Sequence, residues 1–122
     1  MKSTIGAIIY FVFDIEKEKQ FYLENLGLDT IEDSPGWVVL KAGAVELGLH
    51  QIPAEYGPYT PSEEETNVKL VFDIQGDINQ LRQSFIEKQI SIGDIKTWDG
   101  YPYLVCDGKD PEGNVFQIRM KK

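Results

Sequence analysis

Few residues in this chain offer chemistry. His50 is the only histidine and Cys106 the only cysteine. Glu46 stands four residues before His50, and on an extended strand Glu46, Gly48 and His50 would share one face. Four residues of strand span about 13 Å, however, so a regular strand cannot bring Glu46 and His50 onto one metal ion. The other concentration of acids is Asp110-Pro111-Glu112-Gly113-Asn114. Its residue types are those of a tight turn: Pro111 presets φ, Gly113 or Asn114 takes the left-handed conformation, and Asp110 bonds its own backbone. Read as scaffold, the turn leaves its acids facing solvent. A lone cysteine supports neither an intrachain disulfide nor a Cys-based zinc cluster. No phosphate loop, nucleophile elbow or catalytic triad is visible. What remains is aromatic: Trp37, Trp98, Tyr101 and Tyr103 in the later parts of the two halves, and Tyr56 and Tyr59 between them. These serve either as core and interface packing or as platforms that stack on a planar or cationic ligand.

The elements that carry these residues follow from pattern. The tetrapeptide VFDI occurs at residues 12–15 and again at 71–74, about half a chain apart, which prompts a search for a repeat. Ile5–Phe13 is β-branched and aromatic and reads as a strand. Asp14 is a helix N-cap, with Glu16 and Glu18 favouring the dipole of the first turn. The helix directs Phe21, Tyr22 and Leu26 to the core and stops at Gly27. Strands are expected at Trp37–Lys41 and Val45–His50, joined by an Ala42-Gly43 corner. The second half repeats the order. A strand at Val68–Ile74 is followed by a helix capped by Asp77, with Gln80 at the capping-box position. Ile78, Leu81 and Phe85 lie on one face of that helix. Strands follow near Tyr101–Cys106 and at Val115–Met120. Along the last, Phe116, Ile118 and Met120 share one face, and Val115, Gln117 and Arg119 the other.

The segment 53–66, PAEYGPYTPSEEET, holds three prolines and three consecutive glutamates, and reads as a linker or as a cover over a cleft. A chain of 122 residues fits one compact domain, and a half of about 60 residues buries too little to stand alone. The expectation is a single domain over 1–122: module one over about 1–52, the linker over about 53–66, module two over about 67–122. The halves pack together or trade partners in a homodimer. Twelve Lys and Arg against twenty acids give a formal charge of −8, which speaks against duplex nucleic acid and against an anionic membrane. An acidic surface attracts a cationic ligand or serves solubility alone. The apolar run in MKSTIGAIIYFVFD is too short to span a bilayer and lacks a small-residue cleavage site, so a cytoplasmic location is expected.

Asp14 with Phe21-Tyr22 and Leu26-Gly27-Leu28, Val45-Glu46-Leu47 behind the Gly43 corner, and the Asp110–Asn114 turn before the last strand resemble, in order and spacing, the vicinal oxygen chelate superfamily of glyoxalases, bleomycin-resistance proteins and extradiol dioxygenases. The resemblance covers nearly the whole chain. It implies an α+β fold of two βαβββ modules, whose curved mixed sheets enclose a cleft, and commonly a dimer. It also implies a divalent ion held by four side chains. The first ligand position, seven residues before Asp14, is Ala7. The second is Glu46. The third falls within Thr66–Leu70, with Lys69 the best match. The fourth, four residues past Gly113, is Gln117. One expected ligand of four is present, so no metal and no other cofactor is expected.

By the same resemblance Ala7, Ile9 and Phe11 line the cleft with Trp37, Glu46, His50, Lys69, Trp98, Tyr101, Tyr103 and Gln117. Glu46 either pairs with Lys69 in the metal's place or acts as a general base in apolar surroundings. The reading is a small-molecule-binding protein that sequesters an organic ligand without a metal. The rival is a divalent-metal-dependent lyase, isomerase or dioxygenase with atypical ligands. A ligand-free interaction module is the third possibility, because a fold does not choose a function.

Overall fold

The structure, a computed structural model, describes residue 2, residues 5–56 and residues 68–122. The chain is α+β and divides into two compact units, Met1–Thr60 and Pro61–Lys122. The expected linker beyond Tyr56, including Tyr59, Thr66 and Asn67, lies outside the described residues.

In the first unit, β1 (Ala7–Val12) leads into α1 (Ile15–Leu26), then β2 (Asp29–Ser34), β3 (Trp37–Ala42) and β4 (Val45–Gln51). The sheet order is β1-β4-β3-β2, with β1 parallel to β4 and the other pairs antiparallel. The joint between β1 and α1 is held by side chains. Asp14 accepts from the Lys17 N–H, and Gln51 accepts from the Ile15 N–H while donating to the Phe13 carbonyl. Gly27, at φ 66°, closes the helix by donating to the Tyr22 carbonyl, in a conformation that costs glycine least. Leu47, Leu49, Val38, Leu40 and Val12 form one side of the sheet and are buried with Phe21 and Tyr22 of α1.

In the second unit, β5 (Leu70–Asp73) precedes α2 (Ile78–Glu87), β6 (Tyr103–Lys109) and β7 (Val115–Lys121), in the order β5-β7-β6. Here too the first strand runs parallel to the last. Asp77 caps α2 by accepting from the Asn79 and Gln80 N–H groups. Ile78 and Phe85 are fully buried, as are Phe116 and Ile118, in line with the expected helix face and alternation, but Leu81 and Met120 are only half-buried and Val115, on the other face of the last strand, is buried too. The bridges Ile92↔Gly108 and Lys96↔Val105 lay residues 92–96 along the free edge of β6, the place that β2 takes in the first unit.

Two expectations are corrected. β2, of sequence DTIEDS, is a strand that pattern does not reveal, because every residue but Ser34 is exposed and no apolar alternation marks it. β6 begins at Tyr103 rather than near Tyr101 and runs on to Lys109. Asp107-Gly108 resembles a turn in sequence, yet Gly108 stays in the strand. A Cβ there would lie 2.7 Å from Phe116 Cζ and 2.9 Å from Ile92 Cδ1, so the missing side chain is what lets the neighbours close.

Candidate functional site

Each sheet has one face packed on its helix and one open face. In the first unit the open face carries Ala7, Ile9 and Phe11 from β1, paired in register with Glu46, Gly48 and His50 of β4. β3 then sets Lys41, Val39 and Trp37 opposite the same three residues. Gly48 is the floor of this surface. A Cβ there would meet Trp37 Cη2 at 2.7 Å and Ile9 Cγ1 at 3.3 Å, so glycine lets the indole lie across the sheet. His50 stands between two rings, with Phe11 at 5.3 Å and Trp37 at 6.0 Å between centroids. Ile9 is 49% exposed and Phe11 67%, unusual for large apolar groups on a folded unit. Glu46 is exposed, with a methyl group on one neighbouring strand and the Lys41 chain on the other.

The second unit presents a polar face. Val71 and Asp107 flank Gln117, and Asp73 and Val105 flank Arg119. Asp107, which the sequence reading did not single out, organises the middle row. One oxygen takes the Lys69 ammonium at 2.7 Å and the other accepts from the Gln117 amide nitrogen at 2.9 Å. In the next row Asp73 accepts from the Arg119 guanidinium through Nε and Nη2. That hydrogen bond, with the attraction of opposite charges, holds the Asp73 carboxyl below its ordinary value and raises Arg119. The Arg119 guanidinium also lies 4.2 Å from the centre of the Tyr103 ring. Tyr103, Tyr101 and Trp98 continue as a chain of edge contacts, 5.8 and 5.4 Å between centroids. Trp98 and Tyr101 lie outside the strands, and Trp98 is 57% exposed.

The acidic turn is a corner, but not one whose acids all face water. Asp110 is buried, and its carboxylate accepts from the Glu112 N–H, the Asn114 N–H and the Asn114 side-chain amide. Gly113 takes φ 84°. Asp110 is thus consumed in shaping the bend that aims β7. Cys106 lies on the helix side and its thiol contacts the Gly93 carbonyl at 3.1 Å. Burial pushes this thiol up, with Arg82 pulling the other way, so it is a packing residue rather than a nucleophile.

The ligand positions implied by the family do not make a metal set. The register places Ala7 directly opposite Glu46. Val71, not Lys69, is the residue opposite Gln117. The Lys69 ammonium is neutralised by Asp107, and the Gln117 amide nitrogen is committed to the same carboxylate. A divalent ion needs several nitrogen or oxygen donors at roughly 2.0–2.6 Å. Among the described residues no three His, Cys, Asp or Glu side chains come together. No described helix is long and apolar enough to cross a membrane.

Residues 4–118 match the family described as Glyoxalase/Bleomycin resistance protein/Dioxygenase superfamily. The chain is 25% identical to the uncharacterized protein YetH of Bacillus subtilis, over 98% of this chain and 99% of that one. Among solved structures, the fosfomycin resistance protein FosX of Listeria monocytogenes, in complex with Mn(II) and sulfate, has a TM-score of 0.80 at 13% identity; the match covers all of this chain and 93% of that one. A lactoylglutathione lyase from Agrobacterium tumefaciens gives 0.73 at 19% identity, over 98% and 94% of the two chains. At such identities these likenesses speak for the fold. With the family matched over nearly its whole length, this chain belongs to the glyoxalase/bleomycin resistance protein/dioxygenase superfamily.

Proposed function

We propose that this protein binds a small organic molecule on the open faces of its sheets, as a homodimer, and without the divalent ion its family resemblance implies. One observation carries the reading: of the implied ligand positions, only Glu46 holds a carboxylate or imidazole. Ala7 has no donor, Lys69, the best match for the third, is a cation paired with Asp107, and Gln117 offers only the oxygen of a neutral amide, a weak ligand beside a carboxylate. The surfaces left behind suit an organic ligand. Ile9, Phe11, Trp37 and His50 supply apolar and aromatic area, and Tyr103, Tyr101 and Trp98 supply more beside Arg119. Sequestration asks only for affinity, so the lack of a recognisable acid–base pair is no obstacle to it.

The test couples metal analysis of the purified protein with a thermal-shift screen of divalent ions and small organic molecules. A ligand that binds only the folded state raises the melting temperature by mass action. The reading expects organic ligands to raise it and divalent ions to leave it unchanged. The rival, a metal-dependent lyase, isomerase or dioxygenase, rests on the retained and exposed Glu46. A stoichiometric ion that is lost in Glu46→Gln would replace our reading with that one. A screen with no stabilising compound of either kind would favour an interaction module.

A further inference from the structure

The open face of the second sheet has a charge opposite to that of the chain. Register puts Lys69, Arg119, Lys121, Lys109 and Lys96 along it, the last through its bridge to Val105. Among the described residues two acids share that face, Asp73 and Asp107, and both are spent on Arg119, Lys69 and Gln117. With Lys69 and Arg119 paired, Lys96 and Lys121 leave a local excess of two positive charges among the described residues, in a chain whose formal charge is −8. Among the described residues, Lys96 and Lys121 have no ion-pair partner. At physiological salt the Debye length is about 8 Å, so the acids elsewhere on the chain are largely screened and the charges lining the face govern what it meets.

We propose that this face is an anion site, and that the small molecule of the reading above, on which this inference rests, is an organic anion with a planar apolar part. Carboxylates, sulfonates and phosphoryl groups share the required chemistry. Arg119 is pre-set to receive one. Asp73 takes Nε and Nη2 of its five N–H donors' nitrogens, and Tyr103 supports the flat face, so the group is held in place while donors remain. The planar part has Tyr103, Tyr101 and Trp98 beside it. At the other end of the face, Ser91, Gly93, Asp107, Gly108, Lys109 and Val115 line a shallow cavity. The formal charge of −8, which attracts a cationic ligand or serves solubility alone, thus does not describe this face.

The test uses two fluorescent probes with the same ring system, anionic anilinonaphthalene sulfonate and uncharged phenylnaphthylamine. Two excess charges at roughly 8 Å in water favour the sulfonate by about fivefold. That preference is expected to vanish at high salt and in the double variant K96E/K121E, with affinity for the uncharged probe within about twofold of wild type, which also reports that the variant is folded. Equal affinity for the two probes in the wild type, or a preference that survives both salt and the double variant, overturns the anion assignment and leaves small-molecule binding standing. If neither probe binds and the thermal-shift screen is also flat, both readings fall.

Discussion

The two sheets share an order and a helix-side core, and differ on the face turned away from the helix. Both place the first strand parallel to the last, and both bury a row of Val, Leu, Ile or Phe against a helix. The open row of the first sheet is Ile9, Phe11, Val39, Trp37 and His50 laid over Gly48. The open row of the second is an interlocked set of Lys69, Asp107, Gln117, Asp73 and Arg119. Burial narrows the choice of residues on the helix side, since unpaired polar groups there are costly. On the open rows Ile9 and Phe11 stay exposed although Val39 and Val115 are buried, so composition there is less constrained. The repeat in this chain is thus a repeat of scaffold, and the copies differ on their open faces.

The corners that aim the last strand of each sheet differ in the same way, and breaking them should give the largest effects. In the first unit β3 and β4 are joined at Gly43, φ 67°, by backbone alone. In the second, three side-chain bonds to the Asp110 carboxylate shape the bend between β6 and β7. Asp110→Ala should cost about 3 kcal/mol, because it strips a buried carboxylate from several donors at once. Gly43→Ala should cost about 1 kcal/mol for its positive φ. Urea unfolding of the two variants checks the order, and equal losses would remove the distinction.

Gly48 and Gly108 sharpen the contrast at the next level. A Cβ at Gly108 would sit 2.9 Å from the Ser91 carbonyl oxygen as well as 2.7 Å from Phe116, and a backbone oxygen cannot swing aside. Gly108→Ala should cost about 2–3 kcal/mol by overpacking. At Gly48 the obstruction is the outer edge of the Trp37 ring, which can rotate toward solvent. Gly48→Ala should cost about 1 kcal/mol or less and should change the tryptophan fluorescence by lifting the indole. A larger loss at Gly48 than at Gly108 would mean that the first open face is packed rather than available.

The helix-side half of this molecule was legible in sequence and the open half only partly so. Asp14, Asp77, Gly27 and the spacing Ile78, Leu81, Phe85 announce caps and core because local rules govern them. Phe116, Ile118 and Met120 declare a buried face by alternation. The DPEGN run gives its turn away, though not the burial of Asp110, which depends on the donors that close around it. β2 left no trace, since an exposed edge strand needs no apolar pattern. Asp107 carries no signal of its own in the sequence. Its role exists only once register sets it beside Gln117 and within reach of Lys69, 38 residues away in sequence. The resemblance supplied the positions to question, Ala7, Glu46, Lys69 and Gln117, and the register showed which neighbours they have.

The smallest effects separate the two units by pH. In the first unit Lys19 of α1 donates to Glu16 and to Asp33 of β2, and those hydrogen bonds raise its pKa above the ordinary value. A raised lysine contributes its full stabilisation below the unfolded value of about 10.4 and loses it as pH climbs through the folded value. In the second unit Arg119 holds Asp73 below its ordinary value. A depressed carboxyl contributes above the unfolded value of about 3.9 and loses the contribution as pH falls through the folded one. Lys19→Met should therefore differ from wild type at neutral pH and converge with it in strong alkali. Asp73→Asn should differ at neutral pH and converge in strong acid. Asp73 is exposed, and Lys19, though itself buried, pairs with the exposed Glu16 and Asp33, so both pairs are screened, each difference is small and each should shrink further in salt. Denaturant midpoints measured across pH decide the matter. Convergence of Asp73→Asn in alkali instead of acid would show that the Arg119 guanidinium does not hold that carboxylate, and would remove the fixed donor on which an anion at the second open face depends.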